Sequence, residues 1–189
     1  MRVIAGKFRS RPLHSLRGLD LRPTADRLRE TLFNVLAAGN AAALDGKVWL
    51  DLCAGTGAVG IEALSRGAAK VYFVESSSSA ASLIERNLRS LDLEDGFEVL
   101  REDVTRALHK LEARGVAADF IFLDPPYRME KLYEQTLLLL AKSALLTPQT
   151  VVVAEHDKRF DPGDRFAPLR RSRTLEQGDA ALSFYRLAA

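Results

Sequence analysis

The sequence predicts an α/β protein built on a doubly wound, mostly parallel sheet. Three observations carry that reading. Beyond residue 46, short apolar runs alternate with helical stretches of polar and apolar residues. A glycine-rich turn follows the first run, at Gly55, Gly57 and Gly60, and a stiff proline turn follows the fourth, at Pro125-Pro126. The 189 residues are one domain's worth. We expect a single domain, 1–189, with residues 1–45 as a hairpin-and-helix extension and 46–189 as a Rossmann-like core.

Taken in order, residues 2–5 and 12–14 read as short strands around the loop Gly6-Lys7-Phe8-Arg9-Ser10-Arg11, a hairpin. Pro23 opens a helix running to about Ala38, with Thr24 as its N-cap and Leu28, Leu32, Val35 and Leu36 on one face. Residues 39–46 form a linker. Strands are expected at 48–52, 70–75, 97–101, 119–123 and 150–155, and helices at 58–66, 78–91, 104–114 and 130–144. The strands are short and mostly apolar, as when both faces of a sheet are covered. Two further strands, near 171–176 and 181–187, flank the turn Gln177-Gly178-Asp179 and add antiparallel pairing at one edge. Ser76–Ser79 reads as the cap of the helix after it.

Composition excludes several classes. At 47% hydrophobic and 28% charged the chain is ordinary for a globular protein. No apolar run approaches the ~18 residues of a membrane span, and the apolar part of the amino terminus is too short for a signal peptide. A single cysteine, Cys53, and three scattered histidines offer neither a disulfide nor a metal-ligand cluster. The expectation is a soluble cytoplasmic protein without metal, monomeric by default. Net charge is only +2, yet residues 1–30 carry +5, 158–173 carry +4 and 31–157 carry −6. Twenty of the twenty-seven cations are arginine, whose planar fork grips phosphate. Two basic ends around an acidic body fit a polyanion such as nucleic acid, or a solvated surface with chance clustering.

Ligands of such sheets sit beyond the carboxyl ends of the central strands. There the sequence places Asp51-Leu52-Cys53-Ala54-Gly55-Thr56-Gly57-Ala58-Val59-Gly60, followed by Glu75, eighteen residues past Gly57, at the end of the second strand. Strand, glycine loop, helix, strand and acid in this order fit a nucleoside cofactor whose ribose hydroxyls donate to Glu75. Asp51 separates two cofactor classes. Its charge would repel a pyrophosphate but suits the ammonium and sulfonium of S-adenosylmethionine. Asp103 is placed to accept from an adenine amino group, and it also reads as the N-cap before Val104. After Phe120–Leu123 comes Asp124-Pro125-Pro126-Tyr127. The prolines end the strand and stiffen the turn. The Asp124 carboxylate and Pro125 carbonyl become fixed acceptors, and Tyr127 offers a flat face for stacking. That arrangement suits an exocyclic amine, whose delocalised lone pair needs help to localise as a methyl group arrives. A thiolate role for Cys53 fits poorly, because it lies in the cofactor loop rather than beside this motif.

Together Val48–Gly60, Glu75, Asp103 and Asp124–Tyr127 resemble the class I S-adenosylmethionine-dependent methyltransferases that act on amino groups. Arg2-Val3-Ile4-Ala5-Gly6-Lys7, Arg22-Pro23-Thr24-Ala25-Asp26-Arg27-Leu28-Arg29-Glu30-Thr31-Leu32-Phe33-Asn34 and Gly60–Ala68 narrow this. They resemble the bacterial 16S ribosomal RNA guanine-N2 methyltransferases, the guanine-966 type. The resemblance covers residues 1 to about 135, and the tail matches in layout. It implies a seven-stranded sheet whose antiparallel edge strand comes from the tail. Cofactor contacts would come from Asp51, Cys53, Ala54, Gly55, Gly57, Ser76, Val104 and Asp124, with ribose contact at Glu75 and adenine contact near Asp103. A flipped guanine would sit at Asp124, Pro125, Pro126 and Tyr127. Tyr127 stands where phenylalanine is usual in the branch. Arg9, Arg11, Arg22, Arg27, Arg29, Arg170 and Arg171 are the candidate contacts to 16S ribosomal RNA, held within a small subunit or an assembly intermediate. Competing readings are an amino-group methyltransferase for adenine N6 or a glutamine amide, a nicotinamide oxidoreductase, and an RNA-binding module without activity.

Overall fold

The computed structural model describes residues 1–15, 23–126 and 128–188, so Arg22 and Tyr127 lie outside the described residues. Helix α1 (Pro23–Leu36) precedes strand β1 (Val48–Leu52). Alternation follows through α2 (Ala58–Ser65), β2 (Lys70–Val74), α3 (Ser78–Ser90), β3 (Phe97–Leu100), α4 (Val104–Ala113), β4 (Ala118–Leu123), α5 (Glu130–Ala141) and β5 (Leu146–Asp157). The tail adds β6 (Arg165–Phe166), β7 (Leu169–Gln177) and β8 (Ala180–Leu187). One sheet runs in the order β3-β2-β1-β4-β5-β8-β7-β6. Its first five strands are parallel, and β8 and β7 pair antiparallel. The expected class stands, with two differences. Among the described residues the two-residue β6, too short to show a pattern in sequence, makes eight strands rather than seven. The antiparallel strand next to β5 is β8, inside the sheet, while β7 and β6 lie outside it.

Strand alternation divides the core. Trp49, Val71, Phe73, Phe120, Phe122, Val151 and Val153 face one side, against Leu28, Leu32 and Phe33 of α1, Ile61 of α2 and Ile84 and Leu88 of α3. Leu50, Leu52, Val74, Ile121, Leu123, Val152 and Ala154 face the other, against Leu108 and Leu111 of α4 and Leu137 and Leu140 of α5. Period-two side chains with both faces buried are what a parallel sheet between helices requires. Phe33 stacks on Trp49 with ring centroids 5.2 Å apart, which seats α1 on the sheet.

The amino-terminal segment departs from expectation. Instead of two strands it has a single bridge, Arg2 to Pro12. The reason lies in α2: the Ile4 and Ala5 amides donate to the buried Glu62 carboxylate at 2.8 and 3.0 Å rather than across a hairpin. Ser65 Oγ accepts from the Phe8 amide (2.9 Å), and Asn87 of α3 accepts from the His14 amide (2.8 Å). Residues 1–15 are thus stitched along α2 and α3. Helix α1 begins at Pro23 and stops at Leu36, so Thr24 lies inside it rather than at its cap. Ser77, within the predicted serine run, caps α3. Among the described residues, no helix is long and apolar enough to cross a membrane.

Candidate active site

The strand alternation that builds the core also gathers four carboxyl groups. On the α1–α3 face the parity continues Trp49 to Asp51, Phe73 to Glu75, Phe122 to Asp124 and Val153 to Glu155. They lie at or just past the carboxyl ends of β1, β2, β4 and β5, four adjacent strands. Two cavities open there. One of about 330 Å³ is lined by Asp51, Asp26, Arg29, Ser15, Met1 and Leu182 among others. The second, about 580 Å³, runs along Glu75, Ser76, Glu102, Asp103, Val104 and Met129. Cys53, Gly55, Asp124 and Glu155 line both, so the cavities meet at these residues.

The loop between β1 and α2 is shaped for close approach. Cys53, Gly55 and Gly57 all hold left-handed backbone, at φ of 61°, 56° and 77°. A Cβ on Gly55 would meet nothing within 4 Å, because that face opens onto the cavities. A Cβ on Gly60 would fall 2.3 Å from the Phe73 ring, so glycine lets α2 press on β2. The Asp51 carboxylate accepts from the Gly60 amide at 2.8 Å and anchors the start of α2. Burial raises its pKa well above the usual carboxylate range, opposed by that hydrogen bond. Glu75 accepts from the Gly55 amide (2.9 Å) and the Ser77 amide (2.8 Å), and keeps lone pairs for a ligand in the larger cavity. Asp103 caps α4 through the Arg106 amide (3.0 Å) and also lines the larger cavity.

At the proline turn, Pro125 is buried and Pro126 exposed. The Tyr133 hydroxyl stands 3.5 Å from the Pro125 carbonyl and donates to the Glu155 carbonyl at 2.7 Å, tying the ends of β4 and β5 together. Burial pushes the Asp124 carboxyl up to about 7. Glu155 is raised well above its ordinary value by burial and then by the charge of Asp124. The Cys53 thiol is pushed up to about 12, by burial and then by Asp124, Glu75 and Asp51, which makes it inert as a nucleophile. Among the described residues, no group of three or more His, Cys, Asp or Glu is placed to hold a metal ion.

The arginines divide. Arg9 and Arg27 are exposed and line a groove with Arg2 and Asp26, and Asp26 also lines the smaller cavity. Arg11 is exposed and donates to the Ser90 carbonyl at 2.6 Å. Arg29 is corrected: it is 6% exposed, and donates to the Arg2 carbonyl (2.6 Å) and Asp26 (3.1 Å). A side chain so enclosed is no surface contact for RNA; it belongs to the wall of the smaller cavity. Arg170 and Arg171, the candidate RNA contacts of the tail, lie away from the pocket. The antiparallel β8 carries the chain from Asp157, at the carboxyl end of β5, back past Val152, and β7 pairs its start with the end of β8. Arg170 therefore lies toward the amino ends of the parallel strands, and Arg171 is held by Asp161 at 2.6 Å. The sequence reading missed Glu155. It lies near the end of β5 as Asp124 follows β4, and only the strand order shows the two to be adjacent.

A family description, conserved hypothetical protein 95, matches residues 1–186. Ribosomal RNA small subunit methyltransferase D of Haemophilus influenzae is 37% identical over 161 residues, covering 84% of this chain and 79% of that protein. The chain belongs to this family. YlbH of Bacillus subtilis is 36% identical over 186 residues, covering 98% of both chains. A hypothetical protein of Thermus thermophilus superposes with a TM-score of 0.80 at 30% identity, covering 97% of this chain and 98% of the other. The fold is the Rossmann-like fold of class I methyltransferases.

Proposed function

We propose that the protein transfers a methyl group from S-adenosylmethionine to the N2 amino group of a guanine in small-subunit (16S) ribosomal RNA. The observation that carries this reading is the placing of Asp51, Glu75 and Asp124 around an open glycine loop. Such a pocket disfavours a pyrophosphate and favours a cofactor with an ammonium and a sulfonium. The family relationship supports ribosomal RNA as the substrate.

In this reading Glu75 and Asp103 hold the nucleoside half in the larger cavity, and Asp51 with the loop 53–57 holds the amino-acid half. The buried Arg29, whose Nε has no partner among the described residues, is placed to meet a carboxylate in the smaller cavity. Bound S-adenosylmethionine supplies an electrophilic methyl group, whose bond to sulfur breaks as a bond to nitrogen forms. Asp124 and the Pro125 carbonyl accept the hydrogens of the amine and turn its lone pair toward that methyl group. The methylated nitrogen is cationic, and the proton it sheds passes to the Asp124 carboxylate or to water. Residues 1–45 and 46–189 act as one catalytic unit, with Arg9 and Arg27 holding RNA backbone beside the smaller cavity.

The test is transfer of labelled methyl groups to unmodified small subunits, free ribosomal RNA and duplex DNA, followed by nucleoside digestion. Label in N2-methylguanosine from small-subunit RNA is expected. Label in N6-methyladenosine, or in DNA, would overturn the substrate.

A further inference from the structure

Glu155 takes no part in the transfer step above, yet it occupies the junction of the two cavities. Leu123 pairs with Ala154 across β4 and β5, so Asp124 and Glu155 are the next positions on neighbouring strands. Its backbone is fixed from both sides, by the Tyr133 hydroxyl on its carbonyl and by pairing with Leu182, which also lines the smaller cavity. Its carboxyl group has no hydrogen bond or ion pair among the described residues. Glu155 is half-buried and lines both cavities, so its carboxyl group is open to a ligand that supplies donors.

The target proposed above supplies them. The edge of guanine that carries N2 presents three N–H groups side by side, two on the amine and one on N1. Asp124 and the Pro125 carbonyl meet the amine, which leaves N1–H. We infer that Glu155 accepts N1–H of the bound guanine and is the residue that selects guanine over other amino-bearing bases. Adenine, with a bare N1 acceptor beside its amine, offers a Glu155 carboxylate no hydrogen to accept. This inference rests on the guanine-N2 reading.

The experiment uses small-subunit RNA in which the methylated guanine, located by nucleoside mapping, is replaced by 2-aminopurine through ligation. That base keeps the amine and loses N1–H. The wild type is expected to lose at least about tenfold in kcat/KM on the substituted RNA. Glu155→Gln, whose amide donates to a bare N1, is expected to narrow or reverse that preference, while its S-adenosylmethionine affinity stays within about threefold by calorimetry. Equal wild-type rates on the two RNAs would overturn the inference without any variant. An equal loss on both RNAs in Glu155→Gln, or loss of cofactor binding, would also overturn it. A wild-type product other than N2-methylguanosine would instead bring down the guanine-N2 reading, whatever the variant does.

Discussion

The molecule has two arginine-rich regions that look alike along the chain and differ in space. Arg2, Arg9 and Arg27 line a groove that shares Asp26 with the smaller cavity, beside the acidic pocket. In the tail, Arg165 pairs with Arg170, and Arg170 with Arg186, so three arginines lie opposite one another across β6, β7 and β8. That row sits toward the amino ends of the parallel strands, away from the Asp124 pocket. Charge summed along a sequence carries no direction. A chain that reverses through β8 and β7 moves its cations to the far end of the sheet, whereas residues 1–15, stitched to α2 and α3, stay near the glycine loop.

Charge reversal breaks the symmetry between the two regions. Arg9→Glu with Arg27→Glu should raise the KM for RNA by about 30-fold and lower the salt slope of binding by about 2, as for two lost phosphate contacts. An unchanged slope would move the RNA interface elsewhere. Between the regions lies the cofactor loop. Glu75→Ala removes the acceptor of the Gly55 and Ser77 amides and should weaken S-adenosylmethionine binding about tenfold by calorimetry. No change there would exclude the ribose role.

The acidic end should also reveal itself in stability. The folded Asp124 carboxyl titrates at about 7 rather than 3.8, so between these pH values the folded state binds more protons than the unfolded. Stability contributed by that proton is present below about pH 4 and is lost as pH rises toward 7. Cofactor-free Asp124→Asn should therefore gain a few degrees in Tm over the wild type as pH rises from about 4 to 7, and no more above it. A difference independent of pH would contradict the buried carboxyl. The smallest effect is expected at the far end. Arg170→Glu, between Arg165 and Arg186, relieves like charges on adjacent strands and should raise Tm by about 1–3 °C. It should leave methyl transfer within about twofold; a large loss would bring the tail back into the substrate interface.

What was legible in the sequence follows from how local each signal is. The loop from Asp51 to Gly60, the acid at 75 and the turn at 124–126 are contiguous, and the carboxyl-end rule for α/β sheets places them without coordinates. The readings of Ser76–Ser79 and of Asp103 as caps are also local, and Ser77 and Asp103 do cap α3 and α4. Glu155 was out of reach because its meaning comes from lying beside Asp124 in a sheet whose strand order is not the chain order. The sequence alone does not separate Arg29 from Arg27, whereas in the fold the helical face that Arg29 shares with Leu28 and Leu32 turns inward. The hairpin is held to a single bridge, Arg2 to Pro12, for a long-range reason, the buried Glu62 taking the amides of residues 4 and 5.

The central claim is that the methyl group moves at the junction of the two cavities, against Asp124. Single-turnover transfer to small-subunit RNA at saturating S-adenosylmethionine, comparing the wild type with Asp124→Ala, tests it most directly. The variant should lose transfer by roughly 10³-fold while its cofactor affinity stays within about tenfold, some 1.4 kcal/mol. Transfer at the wild-type rate in Asp124→Ala would contradict the account.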